Sequence, residues 1–311
     1  MNRWDKYRKW LYKNTLPCKL SHLKKLHPDF KLKRLGNPED SYYEVFWKKK
    51  RIGVTNPLSN LSKPQSERCF IIATGPSLNQ IDFTRLVPET LLGVNGAVEK
   101  CNDEIFMQYH FVSDASFVYQ RLSFVEKMIH SGADCLFSFV ALNHICECKP
   151  ELLKASNIFL LPEINYHYDT PKKNAIEFDL WAELKPELVL HNKAIHTKGR
   201  VGFSKNINCG VFTAQTVVFE ALQTAAFLGF KKINILGMDL TFNQNTSRFY
   251  ENKNNVVKSR INRDFVPYIL PSFEVASIVA EQNGFEIFNL SPNSRLPGSI
   301  IKKISFEQAL R

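Results

Sequence analysis

Phe70-Ile71-Ile72-Ala73-Thr74-Gly75-Pro76-Ser77-Leu78 is the stretch of the sequence that decides the predicted fold. Its first four residues are apolar and include two β-branched isoleucines, which is typical of a buried strand. The strand is predicted to stop at the Gly-Pro-Ser turn, where Ser77 and Gln80 have the spacing of a helix-capping box. A strand that leads through such a turn into a helix presents backbone N–H groups to an anion. The stretch lacks the Lys of a P-loop and the glycines of a dinucleotide fingerprint, so a plain strand–helix connection is an equal alternative.

Apolar, strand-like runs alternate with helical patterns along the rest of the chain. Helices are predicted near residues 116–131, 211–229 and 271–283. Strands separated by helices indicate an α/β fold with a doubly wound, mostly parallel, Rossmann-like sheet. The predicted strands are Phe70–Ala73, Leu91–Val94, Tyr109–Val112, Cys135–Val140, Ile158–Leu161, Lys232–Leu236 and Phe285–Leu290.

Five of these strands end in small or polar residues. Each such end could be ordinary turn chemistry, which favours Asn, Asp, Gly and Ser. In open α/β sheets, however, ligands bind outside the carboxyl ends of the strands. Together the five ends therefore predict a polar site that suits a nucleotide sugar. They are Thr74–Ser77, Asn95-Gly96, Ser113-Asp114, Gly237–Asp239 and Asn289–Ser291.

The positive charge of the chain is concentrated at its N-terminus. Residues 1–51 hold 15 Lys/Arg and five Asp/Glu, a net charge of +10 out of the total of +11. Trp and Tyr favour the membrane–water interface, and Lys and Arg favour anionic headgroups. A membrane-surface arm is therefore the preferred interpretation, with a solvated packed segment and a nucleic-acid arm as alternatives. The interleaved side chains are Trp4, Tyr7, Trp10, Leu11, Tyr12, Leu20, Leu23, Leu26, Tyr42, Tyr43, Phe46 and Trp47.

Composition also predicts the domain organisation and the cellular compartment. Residues 1–66 are predicted to form the basic arm and a linker, and residues 67–311 the main domain with a lid insertion at about 162–207. No apolar run approaches the roughly 20 residues of a membrane span, and the first residues do not resemble a secretory signal. Seven cysteines without a metal-ligand pattern favour a reducing cytoplasm.

The chain resembles the lipopolysaccharide-core Kdo transferases of the WaaZ kind, and more distantly the bacterial lipooligosaccharide sialyltransferases. The first similarity runs from about residue 68 to 298. The motifs that carry it are Gly75-Pro76-Ser77, Val94-Asn95-Gly96, Val112-Ser113-Asp114, Gly199–Lys205, Gly237-Met238-Asp239-Leu240, Arg248-Phe249-Tyr250-Glu251, Ile269-Leu270-Pro271 and Ile287–Ser291.

This resemblance implies a sialyltransferase-like glycosyltransferase that moves Kdo from CMP-Kdo to the inner core of lipopolysaccharide. The implied acceptor is lipid A bearing Kdo, held at the cytoplasmic face of the inner membrane, and residues 1–51 are expected to bind that membrane surface. No nucleic-acid partner is expected. Because the sequence has no Asp-x-Asp motif, catalysis is expected to need no metal and no cofactor besides the donor.

The resemblance also implies which residues bind the donor. The Gly-Pro-Ser turn would hold the CMP phosphate and ribose, and the stretch around Gly210 would contact the donor carboxylate and phosphate. Arg248 and Tyr250 are candidates for stabilising the departing CMP. The implied donor-binding residues are Gly75, Pro76, Ser77, Asn95, Asn208, Cys209, Gly210, Gly237, Asp239, Arg248, Tyr250, Pro292, Asn293 and Ser294.

The chain departs from the sialyltransferase pattern at the catalytic histidine, because no His follows His196. A carboxylate is therefore the expected general base, and Asp114 and Asp264 are the candidates. Asp114 could instead cap a helix, and Asp264 could be a surface residue. Among the histidines of the lid insertion, including His167, His191 and His196, satisfied side chains are more common than catalytic ones.

Three other functions stay open at this point. A CMP-sialic-acid-dependent sialyltransferase would use a chemically parallel donor. A pterin diphosphokinase-like enzyme would also begin with a strand and a Gly-Pro-Ser turn, but would require ATP and magnesium. A non-catalytic membrane-surface adaptor would retain the fold alone.

Overall fold

The computed structural model describes residues 3–191, 201–241, 248–252, 257 and 259–311. The strands within these ranges are β1 (Phe30–Asn37), β2 (Asp40–Trp47), β3 (Lys50–Val54), β4 (Arg68–Ile72), β5 (Thr90–Val94), β6 (Tyr109–Val112), β7 (Asp134–Phe137), β8 (Ile158–Leu160), β9 (Leu188–Leu190), β10 (Gly202–Ser204), β11 (Lys232–Leu236), β12 (Glu286–Asn289) and β13 (Lys302–Lys303). The α-helices are α1 (Arg3–Thr15), α2 (Ala115–Gln120), α3 (Leu122–His130), α4 (Phe139–Cys148), α5 (Ala175–Glu183), α6 (Val217–Phe227), α7 (Ile261–Asp264), α8 (Leu270–Asn283) and α9 (Phe306–Ala309).

The chain divides into two compact units. The first contains residues 1–61, 112–186 and 207–211, and the second contains residues 62–111, 187–206 and 212–311. The predicted lid insertion at 162–207 contributes to both units, and its role as a lid stays a prediction, as does the domain boundary at residue 66. His196 lies outside the described residues.

The predicted α/β architecture is confirmed. Eight strands form one mostly parallel sheet in the order β13-β12-β11-β4-β5-β6-β7-β8. All seven predicted strands are present, and β6 and β11 have the predicted bounds. The strands read as continuous apolar runs because a parallel sheet is covered on both faces.

Strand β4 is the turning point of the topology in the second unit. From β4 the chain proceeds outward to β5 and then β6, and it later returns to place β11 on the other side of β4, followed by β12. The loops that follow β4 and β11 therefore leave the same edge of the sheet in neighbouring positions. In doubly wound sheets, this reversal of strand order opens the crevice in which ligands bind.

Two helices of the second unit pack against its strands. Helix α6 packs against β4 and β5, and nine of its 11 residues are buried. Helix α8 packs against β9, β10 and β12. It ends at Gly284, whose φ of +70° is the left-handed conformation that favours glycine at a helix C-terminus.

The first unit differs from the predictions in two places. Residues of the predicted arm form an antiparallel sheet, β1-β2-β3, with Tyr43 and Val45 buried. The predicted strand Cys135–Val140 is too long, because Ser138 begins α4 by accepting a hydrogen bond from Ala141 N at 3.1 Å. Within the described ranges, no helix is both long and apolar enough to span a bilayer.

Gln223 of α6 offers a test of the packing in the second unit. Its buried amide accepts hydrogen bonds from Ser204 N at 2.9 Å and Phe212 N at 3.0 Å, and donates to Phe212 O at 2.7 Å. Gln223→Leu leaves these buried backbone N–H and C=O groups without a hydrogen-bond partner. We therefore expect the free energy of unfolding to fall by about 2–4 kcal/mol in urea titrations. Gln282→Leu, at an exposed position of α8, should change it by less than about 0.5 kcal/mol. Equal stability of the two variants would contradict this account.

Candidate functional site

The turn after β4 is held by hydrogen bonds within the protein. Gly75 N donates to Gly237 O at 2.8 Å, and Ser77 N donates to Asp239 Oδ2 at 3.0 Å. Residues Pro76–Gln80 form a 3-10 helix whose N-cap, Gly75, makes no side-chain capping bond. The capping-box prediction is therefore wrong, and so is the prediction that this turn offers unused N–H groups to a phosphate. The polar side chain that the turn presents is Ser77, whose Oγ lies 3.3 Å from Ser291 Oγ.

Asp239 is the charged group at the edge where the strand order reverses. Two residues near it in the loop have positive φ. Gly237, two positions before it, is at +73°, and Leu240, directly after it, is at +56°. A leucine in the left-handed region costs about 1–3 kcal/mol and persists only where the surrounding structure holds it. Asp239 is buried, and its Oδ1 has no hydrogen-bond partner among the described residues. A buried carboxylate oxygen of this kind needs a donor, which a bound ligand can supply.

Gly75 lets Asp239 reach the turn. A Cβ on Gly75 would overlap Asp239 Oδ2 and would lie 2.5 Å from Gly237 O. Any side chain at position 75 would therefore push the carboxylate away from the N–H of Ser77. The Gly-Pro-Ser sequence is thus required for a close approach of the β11 loop rather than for a cradle of N–H groups.

Asn95 provides a second acceptor at the end of the neighbouring strand β5. Its φ is +48°, and its Oδ1 is buried without a hydrogen-bond partner among the residues that the structure describes. The next residue, Gly96, lies under the ring of Tyr250, since a Cβ there would be 2.5 Å from Tyr250 Cζ. Tyr250 therefore lies beside the residue that follows Asn95.

The loop after β12 is fixed to the loop after β11. Ser294 Oγ donates to Met238 O at 2.6 Å, and Arg295 N donates to Asp239 O at 3.0 Å. Lys303 Nζ donates to Pro292 O at 3.1 Å and to Ser294 O at 2.8 Å. Of the predicted residues, Ser294 therefore bonds the Asp239 loop, Pro292 accepts a bond from Lys303, and Asn293 is exposed.

Two other predicted residues of this unit already have ionic partners. Arg248 Nη1 lies 2.7 Å from Glu251 Oε1, so part of its charge is neutralised within the protein. Both carboxylate oxygens of the buried Asp264 accept hydrogen bonds from Arg263, at 2.7 and 2.9 Å. The surface-loop interpretation of Asp264 is wrong, because the residue is buried at the end of helix α7.

The remaining predicted residues belong to the first unit. Asp114 caps α2 through its Oδ1, which accepts hydrogen bonds from Ser116 N at 2.8 Å and Ser116 Oγ at 2.9 Å. Asn208 and Cys209 lie in the 3-10 turn Ile207–Cys209, which precedes Gly210. His167 Nε2 lies 3.3 Å from Cys209 O, and in the second unit His191 Nε2 lies 3.2 Å from Glu274 Oε2.

Sequence reasoning missed Glu163 in the first unit. Burial raises its pKa to about 7, although Lys25 opposes this shift. The signal available in the sequence was its position, three residues after the end of β8.

Taken together, the edge of the second unit presents hydrogen-bond acceptors. The Asp239 carboxylate and the Asn95 amide oxygen suit O–H and N–H donors, such as those of a ribose or a nucleobase. The described residues include no group of three or more His, Cys, Asp and Glu side chains arranged to hold a metal ion.

Comparison with protein families matches residues 54–307 to the family WaaZ_KDO_III, described as 3-deoxy-D-manno-octulosonic acid transferase WaaZ. An Escherichia coli protein named as a probable 3-deoxy-manno-octulosonic acid transferase is 25% identical over 244 residues, covering 78% of this chain and 84% of the relative. A Salmonella typhimurium protein of the same name is 24% identical over 253 residues, covering 80% and 90%.

The solved structures to which this chain is similar have lower sequence identity than these relatives. The sialyltransferase CstII from Campylobacter jejuni, in complex with the substrate analogue cytidine-5'-monophosphate, has a TM-score of 0.41 and 15% identity over 75% of this chain and 83% of its own. The MAf glycosyltransferase from Magnetospirillum magneticum has a TM-score of 0.46 and 12% identity over 80% of this chain and 35% of its own.

Gly75→Ala tests the contact between the turn and Asp239. The added Cβ forces the carboxylate or Gly237 O to move, so we expect the free energy of unfolding to fall by about 2–3 kcal/mol. Gly298→Ala is the matched control, because a Cβ there meets only Lys303 Cγ at 3.8 Å, and it should stay within about 0.5 kcal/mol of the parent. Urea denaturation measures both, and a Gly75→Ala protein as stable as the Gly298→Ala protein would refute the contact.

Proposed function

Because the chain belongs to the WaaZ family of 3-deoxy-D-manno-octulosonic acid (Kdo) transferases, we propose that it moves Kdo from CMP-Kdo to a lipid A–Kdo acceptor in the lipopolysaccharide inner core. The observation that carries the donor half of this proposal is the pair of buried, unpartnered acceptors, Asp239 Oδ1 and Asn95 Oδ1. They lie at the ends of strands on either side of β4, where a doubly wound sheet binds its ligand.

In this proposal, the hydrogen-bond acceptors Asp239 Oδ1 and Asn95 Oδ1 recognise the nucleoside of CMP-Kdo. Ribose hydroxyls and the exocyclic amine of cytosine are donors that satisfy Asp239 and Asn95. The hydroxyl groups of Ser77 and Tyr250 donate hydrogen bonds to the phosphate. The N–H groups of Gly75 and Ser77 do not, because they already bond Gly237 O and Asp239 Oδ2. Arg248, which is paired with Glu251, is assigned a secondary role at the phosphate.

The proposed reaction exchanges one C–O bond for another. The bond between the anomeric carbon of Kdo and the phosphate oxygen breaks, and its electron pair leaves with CMP. A hydroxyl oxygen of the acceptor forms the new bond to the anomeric carbon, and its proton passes to a protein carboxylate. The reaction so written needs no metal ion, and activity is expected to persist in a chelator.

The helix α1 supports a location at the membrane surface. Arg8 forms a two-bond ion pair with Asp29, at 2.9 and 2.5 Å, and Lys9 lies 2.6 Å from Glu147. These contacts attach one face of α1 to the first unit. The opposite face carries an exposed apolar row, with exposures of 44–65%, made of Trp4, Tyr7, Trp10 and Leu11.

Aromatic side chains beside cations are the usual composition of a helix that lies in the membrane interface. Trp4 packs near Tyr7, and Tyr7 stacks on Trp10, with ring centroids 5.7 and 6.2 Å apart. We place this row in the interface of the inner membrane on its cytoplasmic side, where the acceptor lipid is held.

The donor assignment predicts transfer of Kdo by the full-length protein. Incubation with CMP-Kdo and lipid A–Kdo should add one Kdo mass to the acceptor, detected by mass spectrometry. Asp239→Asn should weaken CMP binding by about 10–100-fold in calorimetry, since a bond to a charged acceptor contributes about 1.5–3 kcal/mol. Asp103→Asn, at an exposed site, is the control and should bind as the parent does.

The same assay separates the alternatives. Transfer from CMP-sialic acid but not from CMP-Kdo would establish a sialyltransferase. Dependence on ATP and magnesium with a pterin substrate would establish the diphosphokinase-like function. Absence of CMP binding by the parent protein would refute the nucleotide site.

The membrane assignment predicts that α1 drives binding to anionic vesicles. Replacing Trp4, Tyr7 and Trp10 together by Ser should lower partitioning by at least about tenfold, because interfacial aromatic anchors are lost. Vesicle flotation with phosphatidylglycerol liposomes measures this. The control is Ile176→Ser with Leu180→Ser, which removes equally exposed apolar groups from the acidic helix α5. If the control loses as much binding as the triple variant, α1 is not the anchor.

A further inference from the structure

The hairpin that joins β2 to β3 ends in a run of four exposed cations, Lys48, Lys49, Lys50 and Arg51. We call this run the basic hairpin tip. Trp47 of β2 pairs with Lys50 of β3, so Lys48 and Lys49 form a two-residue loop by themselves. Within the part of the chain that the structure describes, Arg51 forms a salt bridge, with Glu44, and the three lysines form none. The tip therefore presents three lysine charges that no salt bridge compensates.

The backbone of this loop has a conformation that lysine does not favour. Lys48 has a φ of +49° and Lys49 a φ of +66°, so both residues lie in the left-handed region. Two-residue hairpin loops in which both φ angles are positive prefer Asn-Gly, because Asn and Gly adopt positive φ most readily. A lysine at either position therefore makes the turn less stable than Asn or Gly would. The two lysines are unfavourable for the turn, which indicates that their charge serves another purpose.

The hairpin at the other end of β2 is built differently. Its loop residues, Pro38 and Glu39, lie between the paired residues Asn37 and Asp40. Asn37 Oδ1 accepts hydrogen bonds from Glu39 N at 3.1 Å and from Asp40 N at 2.8 Å, which is the usual stabilisation of a turn by asparagine. This loop carries two acidic residues, whereas the tip of the next hairpin carries four basic ones. Charge is therefore segregated between the two ends of β2.

Asp29 joins the basic hairpin tip to helix α1 within the first unit. Lys48 N donates to Asp29 O at 3.1 Å, and the Asp29 carboxylate accepts a hydrogen bond from Arg8 Nη1 of α1 at 2.9 Å. Arg8 directly follows Tyr7, which belongs to the exposed apolar row of the helix. The tip and α1 are therefore neighbours, and the tip continues the surface that the proposed function places at the membrane.

We propose that the basic hairpin tip is a second membrane contact, which binds the phosphate groups of anionic phospholipids beside α1. This contact rests on the membrane location in the proposed function, and it names the class of lipid that is bound. Helix α1 offers aromatic and apolar groups, but Asp29 and Glu147 neutralise two of its cations. The tip supplies the missing charge, because lysines near an anionic surface each strengthen adsorption. Stable attachment to a bilayer commonly combines one apolar anchor with one polybasic patch.

Lys48→Asn combined with Lys49→Gly in the full-length protein, called the turn variant, separates the two effects. It improves the turn while it removes two charges, so we expect the midpoint of urea denaturation to rise. Partitioning onto phosphatidylglycerol vesicles at low salt should fall by about 10–30-fold in flotation assays. The vesicles contain no lipid A, so the phosphates are those of the phospholipid. Added salt should weaken the binding of the parent more than that of the turn variant.

Two control variants separate the hairpin from net charge and from turn geometry. Lys63→Asn with Lys154→Asn removes two exposed charges elsewhere and should lower partitioning by less than about threefold. Lys48→Arg with Lys49→Arg keeps both charges at the tip and should bind the vesicles as the parent does.

Each other outcome overturns the proposal. A turn variant that partitions as the parent does, or whose urea midpoint falls, shows that the lysines do not serve the lipid contact. An equal loss in the charge-matched control assigns the effect to net charge. A turn variant that loses affinity for duplex DNA and keeps its vesicle binding assigns the tip to nucleic acid. These results leave the binding through α1 and the Kdo transfer untouched, whereas a parent that does not adsorb to the vesicles overturns the membrane location as well.

Discussion

The second unit depends on the contact between the Asp239 carboxylate and the turn that follows β4. One carboxylate oxygen accepts the N–H of Ser77, and the other has no partner among the described residues. The contact requires a glycine at position 75 and a leucine forced to positive φ at position 240. Backbone strain and an unpaired buried acceptor both lower stability, so their coincidence on one loop is typical of a binding site rather than of a structural support.

The same contact shows how the strand-to-turn motif works in this protein. A Gly-Pro-Ser turn before a helix resembles an anion cradle, but here its N–H groups are used by Gly237 O and Asp239. The turn instead holds the Asp239 carboxylate, which comes from the loop after β11, through the N–H of Ser77. The buried polar atoms without a partner that the described residues place at this edge are hydrogen-bond acceptors, Asp239 Oδ1 and Asn95 Oδ1, rather than a set of N–H donors.

The α/β fold was predictable because buried parallel strands are short, apolar and bounded by turn residues. The strand ends at Asn95 and Asp239 were predictable for the same reason. The antiparallel sheet β1-β2-β3 was missed because its exposed, basic strands resemble a solvated arm. Glu163 was missed because its position three residues after the end of β8 does not by itself reveal its surroundings. Its character comes from burial beside Gly210 and Val211, which are almost 50 positions away in the sequence.

The ion pairs that attach α1 to the rest of the first unit neutralise part of the positive charge of the helix. Arg8 and Lys9 are neutralised by Asp29 and Glu147, so Arg3, Lys6 and Lys13 remain as the cations of this helix without a partner in the described structure. With Asp5 counted, α1 and its two carboxylate partners carry a net charge of +2, compared with +4 for the helix alone. For the membrane binding proposed for α1, this small net charge predicts a shallow dependence on ionic strength, with dehydration of the indole and phenol rings supplying the rest of the binding free energy.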